Sequence, residues 1–160
     1  MKGSLLDRYL LAKPAVRAAI EWPILIVVSI LGIVFHFPKV PLPPAANISG
    51  LVLLIAGIIV HESSHKVHKQ AHQGWKEIEE VVTKGIYSKI RHPGYLGLIL
   101  MYLGFALWWR TVWILVVAIV FAILTVLTAI REEEAMREKF GEEYEEYMRQ
   151  VQWRFIPGVF

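Results

Sequence analysis

The sequence predicts an all-α membrane protein with four transmembrane helices, and three observations lead to that prediction. First, hydrophobic residues make up 56% of the chain and charged residues 19%, whereas soluble domains average roughly 45–50% and about 25%. Second, the hydrophobic residues are concentrated in four blocks, which are too many for one soluble domain of 160 residues to bury. Third, the basic residues are distributed very unevenly among the segments that connect these blocks.

The four blocks set the expected boundaries of the elements. They lie at about 22–37, 45–60, 95–109 and 111–130. A membrane-spanning helix needs roughly 17–25 apolar residues, and the first three blocks reach that length only with flanking residues such as Ala18 and Ala19. We expect one integral-membrane domain over 1–160, made of an interfacial segment, a four-span bundle with a loop at 61–93, and a C-terminal segment. These three parts cover 1–21, 22–130 and 131–160.

The N-terminal segment is expected to lie on the membrane before the first span. Its apolar side chains recur near helical spacing, which is typical of an amphipathic interfacial helix. These side chains are Leu5, Leu6, Tyr9, Leu10, Ala12 and Val16. Pro14 is expected to break this helix, and the alternative interpretation is a frayed tail that contains a few leucines.

The basic residues predict the orientation of the four spans. Fifteen of the 17 lysines and arginines precede the first block, lie between the second and third, or follow the fourth. The other two, Lys39 and Arg110, lie in the two remaining connections. Because cytoplasmic loops carry the excess of Lys and Arg, we expect both termini and loop 61–93 to be cytoplasmic. The membrane would be the cell membrane of a prokaryote or an endomembrane of a eukaryote.

Four histidines follow the second block. His61, His65, His68 and His72 would share one face of a helix, and residues 61–65 match the H-E-x-x-H pattern of zinc metalloproteases. We predict no metal site, because a catalytic zinc needs a third protein ligand, which the same helix would supply with poor tetrahedral geometry. The absence of cysteine also excludes a zinc–thiolate site. The alternatives are a membrane zinc metalloprotease, a non-enzymatic metal sensor, and a polar helix that leaves the bilayer.

Five short motifs lie in a fixed order around the last two blocks. They are Gly85-Ile86-Tyr87, Arg91-His92-Pro93-Gly94-Tyr95-Leu96-Gly97, Glu132-Glu133, Phe140-Gly141-Glu142-Glu143-Tyr144-Glu145-Glu146-Tyr147 and Arg154-Phe155-Ile156-Pro157. Each motif alone is weakly specific, but their order and spacing together are strongly specific. Through them, residues 82–157 resemble the small integral-membrane methyltransferases. These are the isoprenylcysteine carboxyl methyltransferases and the related phospholipid methyltransferases.

The resemblance implies that the cofactor is S-adenosylmethionine (SAM), bound without a Rossmann domain. The expected cofactor-binding residues come from the motifs and are Tyr87, Arg91, His92, Pro93, Tyr95, Leu96, Glu132 and Glu133. An arginine can pair with the carboxylate of SAM, and glutamates can accept hydrogen bonds from its amine and ribose hydroxyls. The alternatives are an arginine that reaches the lipid headgroups, a proline that only starts a helix, and glutamates on a solvated helix face.

The implied reaction is methyl transfer to a lipidic or hydrophobic acceptor at the cytoplasmic membrane face. A thiolate, a carboxylate or an amine could accept the methyl group, and an amine would need His92 or a glutamate as a base. The expected acceptor is a prenylcysteine-type carboxylate, because a carboxylate needs no base and suits an arginine partner. The catalytic candidates are Glu133 and Arg154, and Arg154 lies where the chain should return to the bilayer. Residues 136–151 repeat apolar side chains at helical spacing, which predicts an amphipathic helix interrupted by Gly141. The net charge of +3 gives no reason to expect nucleic acid as a partner.

Overall fold

The computed structural model describes residues 4–70 and 73–159, and its regular elements in these ranges are helical. Six α-helices are described there. They are α1 (Leu5–Leu10), α2 (Pro14–Val34), α3 (Ala45–Val67), α4 (Pro93–Trp109), α5 (Val112–Phe140) and α6 (Glu142–Gln150). Two 3-10 turns, Trp75–Glu77 and Gly85–Ser88, lie in the long connection between α3 and α4. The predicted all-α class is therefore confirmed.

Three of the helices are long and apolar enough to cross a membrane, namely α2, α3 and α5. The third predicted span corresponds to α4, which is apolar but has only 17 residues. At 1.5 Å per residue, α4 is about 26 Å long. It begins at Pro93, which suits a first turn, and it stops at Arg110, whose φ of 57° is left-handed.

The N-terminal segment differs from the expected interfacial helix over 1–21. The short helix α1 is capped by Ser4, which forms a reciprocal capping box with Asp7. A new helix, α2, then begins at Pro14. Proline lacks an N–H group, and the first turn of a helix needs none there, so Pro14 starts a helix where we expected it to end one. Residues 14–21 are consequently the first turns of a spanning-length helix.

Helices α3 and α4 pack with their backbones almost in contact. A Cβ atom added at Gly57 would lie 2.7 Å from the carbonyl oxygen of Gly97. One added at Gly104 would lie 2.7 Å from the carbonyl oxygen of Gly50. Small residues permit this close approach between helices in membranes. The pairing fixes the register of the hairpin and places the end of α3 beside the start of α4.

The C-terminal half of α5 runs beyond its apolar block and carries the second glutamate motif. The helix continues without a break to Phe140, and Gly141, with a φ of 55°, turns the chain into α6. Tyr144 and Tyr147 on α6 are buried against Ile78, whereas the glutamates of α6 are exposed. The predicted amphipathic pattern and the interruption at Gly141 are thus both present. The end of the bundle where α3 ends, α4 begins and α6 folds back is called the motif end below.

Candidate functional site

A buried cluster at the motif end is centred on Glu133 of α5, which is 1% exposed. Its carboxylate accepts hydrogen bonds from Arg91 Nε at 2.7 Å, His92 Nε2 at 3.1 Å and Arg154 Nε at 3.0 Å. A second nitrogen of Arg91, Nη1, donates to the carbonyl oxygen of Val151 at 2.7 Å. We call Glu133, Arg91, His92 and Arg154 the Glu133 cluster.

Backbone hydrogen bonds join the same segments. The amide of Arg91 donates to the carbonyl oxygen of Trp153, and the amide of His92 donates to that of Arg154, each at 2.9 Å. The start of α4 therefore pairs with the residues that follow α6, and Glu133 holds both to α5. Hydrogen bonds to charged groups are stronger than neutral ones, so this cluster acts as a clamp between three distant parts of the chain.

A cleft lies beside the clamp, between the end of α3, the connection that follows it, and α4 to α6. It contains about 780 Å³ of empty space, including its open mouth. Its wall combines aromatic, apolar and polar side chains. The polar and aromatic residues that matter below are His68, Gln73, Glu80, Tyr87, Tyr95 and Glu132.

The charge of this cleft is predominantly negative. Glu80 and Glu132 are the acidic residues of its described lining, and Arg91, its basic residue, is already bonded to Glu133. Burial lowers the pKa of His68 below its ordinary value of 6.5, although Glu132 and Glu80 oppose this shift. The lowered pKa favours the neutral form of His68 in the cleft wall.

Two aromatic rings and one polar atom complete the wall. The ring of Tyr87 packs edge-on against His68 with 5.6 Å between the ring centroids, and burial raises the pKa of the Tyr87 hydroxyl. The buried atom His68 Nδ1 has no hydrogen-bond partner among the residues that the structure describes. Tyr95 stacks on His92 with 5.6 Å between centroids. The arrangement suits a small cationic molecule that also carries hydrogen-bonding groups.

The structure divides the predicted site residues into two sets. The first lines the cleft and consists of Tyr87, Arg91, His92, Tyr95 and Glu132. The second lies outside its lining and consists of Pro93, Leu96, Glu133 and Arg154. Pro93 is buried in the first turn of α4, and the backbone N–H of Leu96 donates to the carbonyl oxygen of His92.

Two of the predicted site residues already have partners within the protein. Arg91 was expected to pair with a cofactor carboxylate, but its Nε and Nη1 atoms are bonded to Glu133 and Val151. Glu133 was expected to bind the cofactor, but it is enclosed by three donors of the protein. Both residues hold the wall of the cleft in place. Sequence reasoning also missed Gln73 and Glu80, because no motif surrounds them.

The histidine segment forms a pair and not a continuous row. His61 Nε2 lies 2.9 Å from His65 Nε2, and His61 Nδ1 lies 3.0 Å from the Gly94 carbonyl oxygen. Helix α3 ends at Val67, so His68 leaves the shared face, and His72 lies outside the described residues. Within residues 4–70 and 73–159, no group of three His, Asp or Glu side chains could hold a metal. The zinc protease and metal sensor alternatives therefore gain no support.

Comparison with known proteins places this site in a family. The model of the phospholipid methyltransferase family matches residues 45–143, which is more than half of the chain. The chain is also 30% identical over 121 residues to a Delta(14)-sterol reductase of Saccharomyces cerevisiae, covering 69% of this chain and 28% of that protein.

Two further relatives carry the same description. A Delta(14)-sterol reductase of Neurospora crassa is 33% identical over 57 residues, which cover 36% of this chain and 12% of that protein. One of Mus musculus is 30% identical over 83 residues, which cover 51% of this chain and 20% of that protein. The chain thus spans less than a third of the length of these relatives. The resemblance seen in the motifs is confirmed, and the chain belongs to the phospholipid methyltransferase family of membrane proteins.

Proposed function

We propose that this membrane protein transfers a methyl group from SAM to a lipid-phase acceptor at the motif end. The observation that carries the proposal is the acidic, aromatic cleft held in place by the Glu133 cluster. Most of the residues that line the cleft belong to the family-matched range 45–143, and the cleft lies next to the ends of the apolar helices.

The cleft residues fit SAM by their chemistry. SAM carries a sulfonium and an ammonium group against one carboxylate, so its net charge is positive. Glu80 and Glu132 would receive the ammonium group and the ribose hydroxyls, and the rings of Tyr87 and Tyr95 would face the cationic sulfur. The unpaired His68 Nδ1 offers a hydrogen bond to the adenosine.

SAM would supply a methyl group that its positively charged sulfur already activates. The protein has to align the acceptor with that methyl group and keep water away, and such alignment accounts for much of the acceleration in two-reactant steps. Helix α6 covers one side of the cleft through Tyr144 and Tyr147. The clamp of Arg91 and His92 on Glu133 makes them positioning residues for this wall.

The acceptor would approach from the lipid phase. We propose four spans with the motif end at the cytoplasmic face, as the distribution of basic residues predicts. Arg154 is 25% exposed although it is bonded to Glu133, and we propose that this partly exposed side chain meets the anionic group of the acceptor. A prenylcysteine-type carboxylate is the proposed acceptor, because it needs no base and matches an arginine.

A methyl-transfer screen tests this function. The purified protein in detergent would be incubated with SAM labelled on its methyl group and with a prenylcysteine, phosphatidylethanolamine or a simple thiol. We expect label in the prenylcysteine product and less than about a tenth of it with Glu132→Gln. Absence of transfer to all three acceptors by a protein that binds S-adenosylhomocysteine would contradict the acceptor class. Absence of binding would contradict the cofactor.

The similarity to Delta(14)-sterol reductases favours a second candidate function, the reduction of a double bond in a sterol-like molecule. Such a reduction needs a hydride donor, and a phosphorylated nicotinamide dinucleotide is the usual class. Its phosphates would face Glu80 and Glu132 in this cleft, which is electrostatically unfavourable. The charge of the cleft therefore supports the methyltransferase proposal over the reductase.

A further inference from the structure

A second buried polar cluster is centred on two residues in the first turns of α2, which precede the family-matched range. Arg17 is 2% exposed and Glu21 is 1% exposed. The Glu21 carboxylate accepts a hydrogen bond from Tyr9 on one oxygen and from Tyr102 on the other. Both of its oxygens are thus satisfied by neutral hydroxyl groups. We call Arg17, Glu21, Tyr9 and Tyr102 the Glu21 cluster.

The Arg17 guanidinium is incompletely satisfied in this cluster. Its Nε atom lies 3.5 Å from Glu21 without hydrogen-bond geometry, and Nη2 reaches the Thr125 hydroxyl only at 3.4 Å. The buried Nε and Nη1 atoms have no hydrogen-bond partner in the part of the chain that the structure describes. Buried donors are normally paired, so two unpaired donors on one buried guanidinium group point to a ligand.

Two aromatic rings lie beside Arg17, and one of them also borders a small pocket. Its guanidinium carbon lies 5.9 Å from the centroid of the Tyr9 ring and 5.5 Å from that of the Tyr95 ring. A small pocket of about 240 Å³ is lined by Tyr95, Pro14 and Thr128. Pro14 lies one turn before Arg17, and Thr128 lies one turn after Thr125. This pocket shares Tyr95, Pro14, Gln73 and Glu132 with the cleft described above.

We propose that Arg17 binds an oxyanion, a carboxylate or a phosphate, at the polar end of a lipid-phase ligand. The planar fork of an arginine matches both oxyanions, which can accept from two donors at once. Arg17 stands at the beginning of an apolar span, the level at which basic side chains meet lipid headgroups. Glu132 on the cleft side would repel the anionic group of the ligand. We therefore expect the anionic group to lie at Arg17 and the rest of the ligand to extend towards the cleft.

Access to Arg17 requires movement of the segment that joins α1 to α2. That segment is held by an ion pair of Lys13 Nζ with Glu77 at 2.6 Å and by one of Arg131 with Asp7 at 3.6 Å. All four of these side chains are at least one third exposed, and exposed ion pairs contribute little to stability. Opening the N-terminal segment would break these two weak ion pairs and also the hydrogen bond from Tyr9 to Glu21. This inference holds whether the cleft transfers a methyl group or a hydride.

Titration of the full-length protein in a neutral detergent tests the inference. The probes are lysophosphatidic acid, oleate, lysophosphatidylcholine and inorganic phosphate, and the readout is the dissociation constant. We expect lysophosphatidic acid or oleate to bind more tightly than lysophosphatidylcholine, and inorganic phosphate alone to bind at least tenfold more weakly. Arg17→Lys keeps the charge but loses the fork, so it should weaken binding about tenfold.

A matched control separates this site from the general basic surface. Arg8→Ala removes an exposed positive charge from the same N-terminal segment and should change binding less than about twofold. A double variant, Arg17→Gln with Glu21→Gln, removes both buried charges together, so no unpaired charge remains. It should fold and lose binding.

Three outcomes would overturn the inference. They are equal binding by Arg17→Lys and the unaltered protein, an equal loss with Arg8→Ala, and retention of binding by a folded Arg17→Gln, Glu21→Gln variant. Equal binding of inorganic phosphate and lysophosphatidic acid would overturn the lipid source of the oxyanion.

Discussion

Two buried carboxylates in this protein, Glu133 and Glu21, have the same exposure of 1% but very different partners. Glu133 accepts from two guanidinium groups and an imidazole. Glu21 accepts from two phenol hydroxyls, and the neighbouring Arg17 lies 3.5 Å away without a hydrogen bond. The donors around Glu133 are thereby paired, whereas two donors of Arg17 are not.

This difference separates a clamp from a binding group. In the Glu133 cluster, residues that resemble cofactor ligands bond to each other and join α5 to the start of α4 and to the C-terminal segment. In the Glu21 cluster, the guanidinium retains donors that a ligand could use. A buried charge therefore indicates its role through the donors and acceptors that remain unpaired, and not through burial alone.

Removing the centre of the clamp should have the largest effect. Glu133→Ala removes the carboxylate that accepts from Arg91, His92 and Arg154, and breaking a buried ion pair in this way costs about 3–5 kcal/mol. We expect this loss in the free energy of unfolding, measured by denaturant titration in detergent. The matched control is Glu134→Ala, an exposed neighbour paired with Arg131, which should change stability by less than about 1 kcal/mol. Equal effects of the two variants would contradict the clamp.

Changing Glu21 should lower the free energy of unfolding less than changing Glu133 does. Glu21→Gln keeps an amide oxygen that can still accept from one tyrosine hydroxyl, and the Tyr9 and Tyr95 rings still face Arg17. We therefore expect a loss of about 1–3 kcal/mol, the usual cost of leaving a buried polar group unsatisfied. A loss as large as that of Glu133→Ala would show that the two clusters do not differ as described.

Changing a residue that lines the cleft should lower ligand affinity and leave the free energy of unfolding almost unchanged, in contrast to a change in the clamp. Glu132→Gln removes a negative charge but keeps an oxygen, so the free energy of unfolding should change by less than about 0.5 kcal/mol. Affinity for S-adenosylhomocysteine, measured by calorimetry, should fall about tenfold, the equivalent of one charge-assisted hydrogen bond. Glu138→Gln, an exposed change on the same helix, is the control. Unchanged affinity with Glu132→Gln would remove this residue from the cofactor site.

The smallest predicted effect concerns the dependence of protein stability on pH. Because burial lowers the pKa of His68 in the folded protein, the unfolded chain takes up its proton first as the pH falls below about 6.5. Stability is therefore retained above that pH and is lost below it. We expect the melting temperature to fall more between about pH 7.5 and about pH 5.5 for the unaltered protein than for His68→Asn. An identical decrease in both would contradict the burial of His68 in the cleft wall.

The sequence predicted the elements of the motif end better than the pairs within them. The order of the motifs was enough to expect Arg91, His92, Glu133 and Arg154 in one neighbourhood, because family resemblance carries long-range proximity. The order of the motifs could not show that Arg91 bonds to Glu133, which is 42 residues away. Such a side-chain pair depends on the register of α4 against α5. That register depends on close contacts such as Gly57 with Gly97, which no local pattern revealed.

The N-terminal segment shows the limit of local rules most clearly. Apolar spacing indicated a helix over 1–21, and helices do form there, but Pro14 divides the segment by starting α2. The same residue type can end one helix or begin another, and the outcome depends on how α2 packs. The burial of Arg17 and Glu21 against Thr125 and Tyr102 follows only from the tertiary fold.

The most direct test of the central claim is calorimetric titration of the full chain in detergent with two competing ligands. S-adenosylhomocysteine represents the methyl donor, and a reduced phosphorylated nicotinamide dinucleotide represents the hydride donor of a reductase. The account predicts that S-adenosylhomocysteine binds, that Glu132→Gln weakens this binding about tenfold, and that the dinucleotide does not bind. Binding of the dinucleotide without binding of S-adenosylhomocysteine would contradict the account and would favour reduction of a sterol-like molecule.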